Sequence, residues 1–249
     1  MTTVSGQVTV GGTVIPVTAQ VTLPSSSYAW VTTATSGQKD FPYAKITGVA
    51  STPWIGPNVW SGGPTYKQTL YANSPGDWYV SVSANTNFGG VAAYPNSGWN
   101  QGKAVDAYHS IVTSWSVSIP ADSTKVAGWA GYDLWFNNWA DEVMILVDIT
   151  APSQYNSTAV ATATFGGMPW HLLVFGSERV WKPGTDDQHL ISRATGSLDV
   201  QPFLTWMEQH GYLPAASTWT AGSFGFEVCD THAVTQEFRV RDFAWAAAA

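Results

Sequence analysis

Asp141-Glu142-Val143-Met144-Ile145-Leu146-Val147-Asp148 is the stretch that decides the fold class of this chain. Successive side chains of a strand point to opposite faces. Val143, Ile145 and Val147 therefore form one apolar face, and Glu142, Met144, Leu146 and Asp148 form the other. The design returns in Ser223-Phe224-Gly225-Phe226-Glu227-Val228-Cys229, where Phe224, Phe226 and Val228 make the core face and Ser223, Gly225, Glu227 and Cys229 oppose it. Tyr132-Asp133-Leu134-Trp135-Phe136 follows suit, with Asp133 and Trp135 on the parity away from Tyr132, Leu134 and Phe136. In a curved sandwich, the face that carries these acids can be a solvent-filled groove.

Charged residues make up only 11% of the 249 positions, against the usual quarter or so. A carboxylate in an apolar strand is costly unless it is paired, hydrogen-bonded or protonated. Two carboxylates across one cleft are the equipment of a glycosidase. A third acid nearby can share a proton and separate the pKa values of the group. Glu142, Glu227 and Asp133 are thus candidate catalytic residues, against the competing reading of ordinary exposed acids on sandwich strands. Alternation by itself does not bring them together in space.

Outward from these segments, short strands are expected at 66–72, 77–84, 88–94, 110–119, 126–136, 141–149, 157–165, 169–175, 189–193, 216–228 and 236–244, between Gly, Pro, Asn and Ser clusters. That pattern predicts an all-β sandwich or jelly roll. One segment breaks it. Asp199 can cap a helix, Pro202 suits a first turn, Val200, Phe203, Leu204 and Met207 share a helical face, and Gly211 fits just past the end. Trp206 and His210 beside that stripe read as packing or surface residues.

Residues 4–23 alternate around Gly11-Gly12 and read as a β-hairpin, followed by a polar stretch at 25–40. Residues 1–47 are read as an appended hairpin with a linker and 48–249 as the main domain; the alternative makes 1–47 its first strands. The N-terminus lacks the basic and apolar regions of a signal peptide. Either a signal has been removed, or the protein leaves its cell another way, as a virion component released by lysis would.

The net charge of −7 comes without a basic run, which argues against nucleic acid, and no apolar stretch is long enough for a membrane helix. Cys229 is the single cysteine and reads as a small buried thiol. His109, His171, His189, His210 and His232 lack metal-ligand spacing, so neither metal nor cofactor is expected. Gly-x-Ser-x-Gly is absent, so a serine nucleophile elbow has no support.

Tyr132-Asp133-Leu134-Trp135, Glu142-Val143-Met144-Ile145 and Gly225-Phe226-Glu227 together resemble glycoside hydrolase family 12, endo-β-1,4-glucanases and xyloglucanases on a concanavalin-like β-jelly roll. Asn58-Val59-Trp60-Ser61, Val91-Ala92-Ala93-Tyr94-Pro95-Asn96 and Gly166-Gly167-Met168-Pro169-Trp170 resemble further segments in the family's order, and one helix before the last strands fits as well. The likeness runs over about residues 50–247. It implies Glu142 as nucleophile, Glu227 as general acid/base and Asp133 as the aspartate touching the nucleophile. It implies Asn58 and Trp60 as holders of a glucose unit and Met144 as part of the cleft floor; Trp135 shares the parity of Asp133 and joins the binding candidates. For Trp60 the alternative is core packing, and Trp78, Trp115, Trp129 and Trp170 are left open between the two.

The implied enzyme is a metal-independent retaining hydrolase of cellulose, xyloglucan or mixed-linkage glucan that works outside the cell; the sequence leaves the oligomeric state open, with a monomer slightly favoured. The chain departs from the family pattern at Val228-Cys229-Asp230, Leu146 and Ser61, and in the short loop between Asp133 and Glu142. The missing signal, the extra β-hairpin and the altered residues after Glu227 keep a second hypothesis open, a non-catalytic glycan-binding or structural module of a virion or cell surface on the same fold.

Overall fold

The computed structural model describes residues 2–10, 13–21, 28, 30–35, 54–61, 65–86, 90–100, 102–120, 126–150, 157–184 and 193–249. The strands are β1 (Thr2–Val10), β2 (Thr13–Val21), β3 (Trp30–Thr35), β4 (Trp54–Gly56), β5 (Lys67–Ser74) and β6 (Asp77–Ser83). Next come β7 (Asn96–Asn100), β8 (Ser110–Ser118), β9 (Ala127–Phe136), β10 (Asp141–Thr150), β11 (Ala161–Phe165) and β12 (Met168–Phe175). The chain ends with β13 (Glu178–Pro183), β14 (Thr195–Asp199), the helix α1 (Gln201–Gln209), β15 (Trp219–Asp230), β16 (Gln236–Val240) and β17 (Ala244–Ala248).

Two large sheets make a jelly-roll sandwich. One has the order β11-β12-β13-β10-β9-β15-β7-β4. The other runs β14-β8-β16-β6-β5-β3, with β17 also on β8. Strands β9, β10 and β15 lie at the centre of the first sheet, and their apolar parity is the sandwich core. Val143, Ile145, Val147, Tyr132, Leu134, Phe136, Phe224, Phe226 and Val228 are all fully buried there. Trp78, Trp115 and Trp170 join this core, which settles them as packing residues.

The helix forms where expected. Phe203, Leu204 and Met207 are buried, and Gly211 takes φ +76° just beyond it. Its N-cap is Val200 rather than Asp199. Asp199 Oδ1 still accepts from the Gln201 N–H at 3.1 Å, and it also accepts from Ile111 N–H at 2.8 Å, so one carboxylate closes the helix start and the adjoining sheet edge. Trp206 stacks between His210 and Tyr212.

Strands β1 and β2 pair as a two-stranded sheet of their own. Trp30–Thr35, inside the stretch read as linker, instead runs antiparallel to β5 at the edge of the second sheet. Its Val-Thr-Thr-Ala-Thr run suits an edge strand, where β-branched residues fit the pleat while one face stays wet. The division between residues 47 and 48 itself lies outside the described residues.

Other expectations shift. Within 88–94 the described part is not a regular strand; Ala93 alone bridges Val59 and Val228, and regular pairing starts at Asn96. Expected strand 236–244 breaks after Val240, because β16 and β17 take successive positions along β8. Expected strand 189–193 has only Arg193 among the described residues, and it is not in a strand. β13 was not anticipated, although it is the parallel neighbour of β10.

Candidate active site

The second parity of the central strands is not groove throughout. Trp129, Met144, Leu146, Leu173 and Val180 form a small buried cluster there with Tyr94. Met144 is thus buried, 2% exposed, and Trp129 belongs to the same layer. Tyr94 is held from both sides. Its N–H donates to Asn58 O at 2.9 Å, and its hydroxyl donates to Gly131 O at 3.1 Å. The segment 92–96 lies close against β15, with Phe226 N–H donating to Pro95 O at 3.0 Å. A Cβ on Gly225 would run into that carbonyl oxygen. The glycine of Gly225-Phe226-Glu227 is therefore required by a close backbone approach.

Asp133 and Glu142 share a side-chain hydrogen bond. They are diagonal neighbours: Glu142 stands opposite Trp135, and Asp133 opposite Met144 on one side and Ser223 on the other. The Trp135 indole N–H donates to the Asp133 carboxyl. Burial is the main reason that both acids hold their protons well above the ordinary carboxylate range. For Glu142 the charges of Asp133, Glu178 and Glu227 add to it, and for Asp133 the charge of Glu178 does. Such a pair titrates as a unit, and its first proton stays on at a pH where isolated carboxyls have lost theirs.

Glu227 is 4% exposed and stands opposite Trp129 on β9. Its charge acts on both Glu142 and Tyr94. Tyr94 feels all three acids: burial above all, then Asp133, Glu227 and Glu142, hold its hydroxyl in the protonated form, with a hydrogen bond to Ser223 pulling the other way. The structure thus brings Asp133, Glu142 and Glu227 into one electrostatically coupled group on one face. Cys229, on the same parity, is buried and its thiol is pushed up to about 12, chiefly by burial, so it is a packed and unreactive group.

Beside this group opens a small cleft. The indoles of Trp54, Trp135 and Trp139 line it, with Tyr94, Asn58, Asn96, Asp133 and Ser223 supplying polar atoms. Glu142, Glu227, Met144 and Trp60 are not among its walls. Trp60, expected to be a sugar platform, is 43% exposed and bonds through its backbone N–H to Ala92 O at 3.2 Å. Trp54 takes the wall position. Its ring covers Gly98, and its Nε1–H donates to Asn96 Oδ1 at 3.1 Å.

Trp139 sits on the short turn between β9 and β10. Asn137, Asn138 and Trp139 all have left-handed φ, at 52°, 57° and 71°. Asparagine tolerates this region; tryptophan does so at a cost. The turn is tied down by Asn137, whose Nδ2 donates to Asp141 Oδ2 at 2.9 Å and to Ser217 Oγ at 3.0 Å while its Oδ1 accepts from Thr218 N–H at 3.0 Å. Trp139 is 54% exposed, its ring 5.6 Å from that of Trp135. Trp54, Trp139, Tyr94, Asn96, Ser223 and Glu178 all escaped the sequence-derived site. The Asn-Asn pair before Trp139 carried the local signal of a turn, and Tyr94 and Asn96 lay in a segment that resembled the family without being singled out.

No family model matches the chain, and no curated protein matches it. Solved structures do. The xyloglucanase domain of NopAA, a type three effector from Sinorhizobium fredii, in complex with cellobiose, superposes with a TM-score of 0.70 at 18% identity, covering 88% of this chain and 99% of that one. Endoglucanase 3 of Trichoderma harzianum, from family GH12, gives 0.70 at 18% identity, covering 89% and 100%. The native family 12 xyloglucanase of Bacillus licheniformis gives 0.67 at 20% identity, covering 88% and 100%. The chain has the β-jelly-roll fold of these family 12 glycoside hydrolases.

Proposed function

We propose that this chain is a family 12 endo-acting glycoside hydrolase that cleaves β-1,4-glucan with retention of configuration. The observation that carries the reading is the coupled group of Glu142, Asp133 and Glu227 on one face, next to a cleft walled by indoles. In this reading Glu142 is the nucleophile. Its carboxylate forms a bond to the anomeric carbon as the glycosidic bond breaks. Glu227 gives its proton to the departing oxygen. The Glu227 carboxylate then takes a proton from water, whose oxygen displaces Glu142 from the sugar and restores both acids. The shared hydrogen bond raises the proton affinity of Glu142 and lowers that of Asp133, so in this reading the shared proton passes to Asp133 as Glu142 attacks in its ionised form. Flat indole faces suit the C–H faces of pyranose rings, which supports a glucan chain in the cleft. The neighbours' own ligands and activities support cellulose or xyloglucan as the substrate class. A polysaccharide substrate also fits work outside the cell.

Reducing-sugar release from cellulose, xyloglucan and mixed-linkage glucan tests this directly. Wild type should act on at least one of them, and Glu142→Gln should lose at least about a thousandfold while remaining folded. Full activity in that variant would overturn the assignment. A second reading, a module that grips glycan without cutting it, draws on the 4% exposure of Glu227 and on Val228-Cys229-Asp230 after it. Binding of cello-oligosaccharide by a wild type that cuts no glucan would favour it.

A further inference from the structure

β13 runs parallel to β10 with Glu178 in register with Glu142 and Val180 in register with Met144. Met144 and Val180 both lie in the small buried cluster on the acid-bearing face. By strand alternation, Glu142 and Glu178, two residues before them, lie on that face too. The register is locked at this point, because Glu142 N–H donates to Ser177 O at 3.2 Å, one residue before Glu178. Neighbouring strands are only about 4.8 Å apart. A fourth carboxylate therefore stands beside the proposed nucleophile, on the side away from Asp133.

The row across the sheet at this height is Phe175, Glu178, Glu142 and Trp135, which holds no basic side chain. Other charged and titratable groups approach from the packed elements. Asp133 comes from β9, Glu227 from β15 and Tyr94 from the segment before β7. Asp141 flanks Glu142 on β10 but is engaged by Arg179, Nη1 to Oδ1 at 3.2 Å. Lys182 is buried four residues further along β13, opposite His171 of β12, and Asp148 lies further along β10. The row nearest the pair is therefore acidic.

We propose that Glu178 is a positioning residue that keeps a proton on the Asp133–Glu142 pair by standing beside Glu142 in register, and so sets the pH range in which the pair works. Its effect on proton affinity supports this, since its charge raises the pKa of both members. Two negative charges side by side in a half-buried row disfavour removal of the shared proton. The proposal rests on the catalytic roles given above, but its electrostatic part can be read without turnover.

The test is a ¹³C NMR titration of Asp and Glu carboxyls in the full chain, alongside the pH profile of glucan hydrolysis. Glu178→Gln and Glu178→Met remove the charge, and Glu178→Asp keeps it; near-UV circular dichroism checks that each is folded. The midpoints of the pair should fall by roughly one unit in the Gln and Met variants and stay near wild type in Glu178→Asp. The acid limb of hydrolysis should move by the same amount. Unchanged midpoints in the Gln and Met variants, or an equal shift in Glu178→Asp, would overturn the proposal. A wild type without hydrolysis but with the expected NMR shifts would sink the enzymatic reading and leave the effect of Glu178 on the pair standing.

Discussion

Asp133 and Glu142 share a hydrogen bond although they are not register partners; each reaches diagonally across the β9–β10 pair. Two carboxyls can bond to each other only when a proton lies between them. The arrangement therefore makes the protonation of the site a property of the fold, since burial of both groups, more than any single neighbour, retains that proton.

Stability depends on pH through this pair, with a definite sign. Both acids have raised pKa values in the folded chain. Between the ordinary carboxylate range near about 4 and those raised values, the folded chain binds more protons than the unfolded one. The pair's contribution is fully present below the ordinary range and is lost as the pH rises through the raised values. Glu142→Gln removes one titrating member and one buried charge. Its melting temperature should match wild type near pH 4 and exceed it at pH 8, by about 2–4 °C for each kcal/mol recovered. Thermal melts at pH 4, 6 and 8 decide this; a difference independent of pH would mean that the pair titrates like exposed carboxyls.

The central strands were readable because their alternation is strict. Val143, Ile145 and Val147 on one parity and Glu142 on the other leave one register in which the apolar side is buried. β13 was not readable for the converse reason. Its Glu178, Val180 and Lys182 parity looks half polar, yet Lys182 is 1% exposed, so local composition disguises a central strand. β4 is three residues long, too short for any periodicity, and it carries Trp54. The roles of Trp54 and Trp139 depend on which loops meet over the sheet, and no local pattern encodes that. For Trp60 the order of segments pointed to a sugar platform rather than to core packing, and its ring is 43% exposed.

Gly225 offers a test of the packing that carries the acids. A methyl group there meets the Pro95 carbonyl and the Asn96 backbone, neither of which can step aside without moving Tyr94. Gly225→Ala should destabilise the chain by roughly 1–3 kcal/mol and disturb the site as Tyr94 shifts. Urea unfolding followed by tryptophan fluorescence measures the first effect, and the hydrolysis rate at saturating substrate measures the second. Wild-type stability in this variant would show that the segment 92–96 does not press on β15.

Trp139 separates binding from folding. Its backbone sits at φ 71° on a turn that Asn137 fixes from both sides, so the fold holds the ring over the cleft at a conformational cost. A non-glycine residue in the left-handed region loses roughly 1–2 kcal/mol, and glycine avoids this while costing roughly 0.5–1 kcal/mol in chain entropy. Trp139→Gly should therefore change stability by less than about 1 kcal/mol, since the exposed ring packs mainly against Trp135. If the ring is a wall for sugar, the same variant should raise KM for cello-oligosaccharides about tenfold, equivalent to about 1.4 kcal/mol of binding, with kcat moving much less. Trp139→Phe, which keeps an aromatic face, should recover part of that loss. Steady-state kinetics on cellotetraose, with isothermal titration of Glu142→Gln alone and combined with Trp139→Gly, would measure both quantities. A KM that does not move with Trp139→Gly would remove Trp139 from the binding surface and leave Trp54 and Trp135 as the indole walls of the cleft.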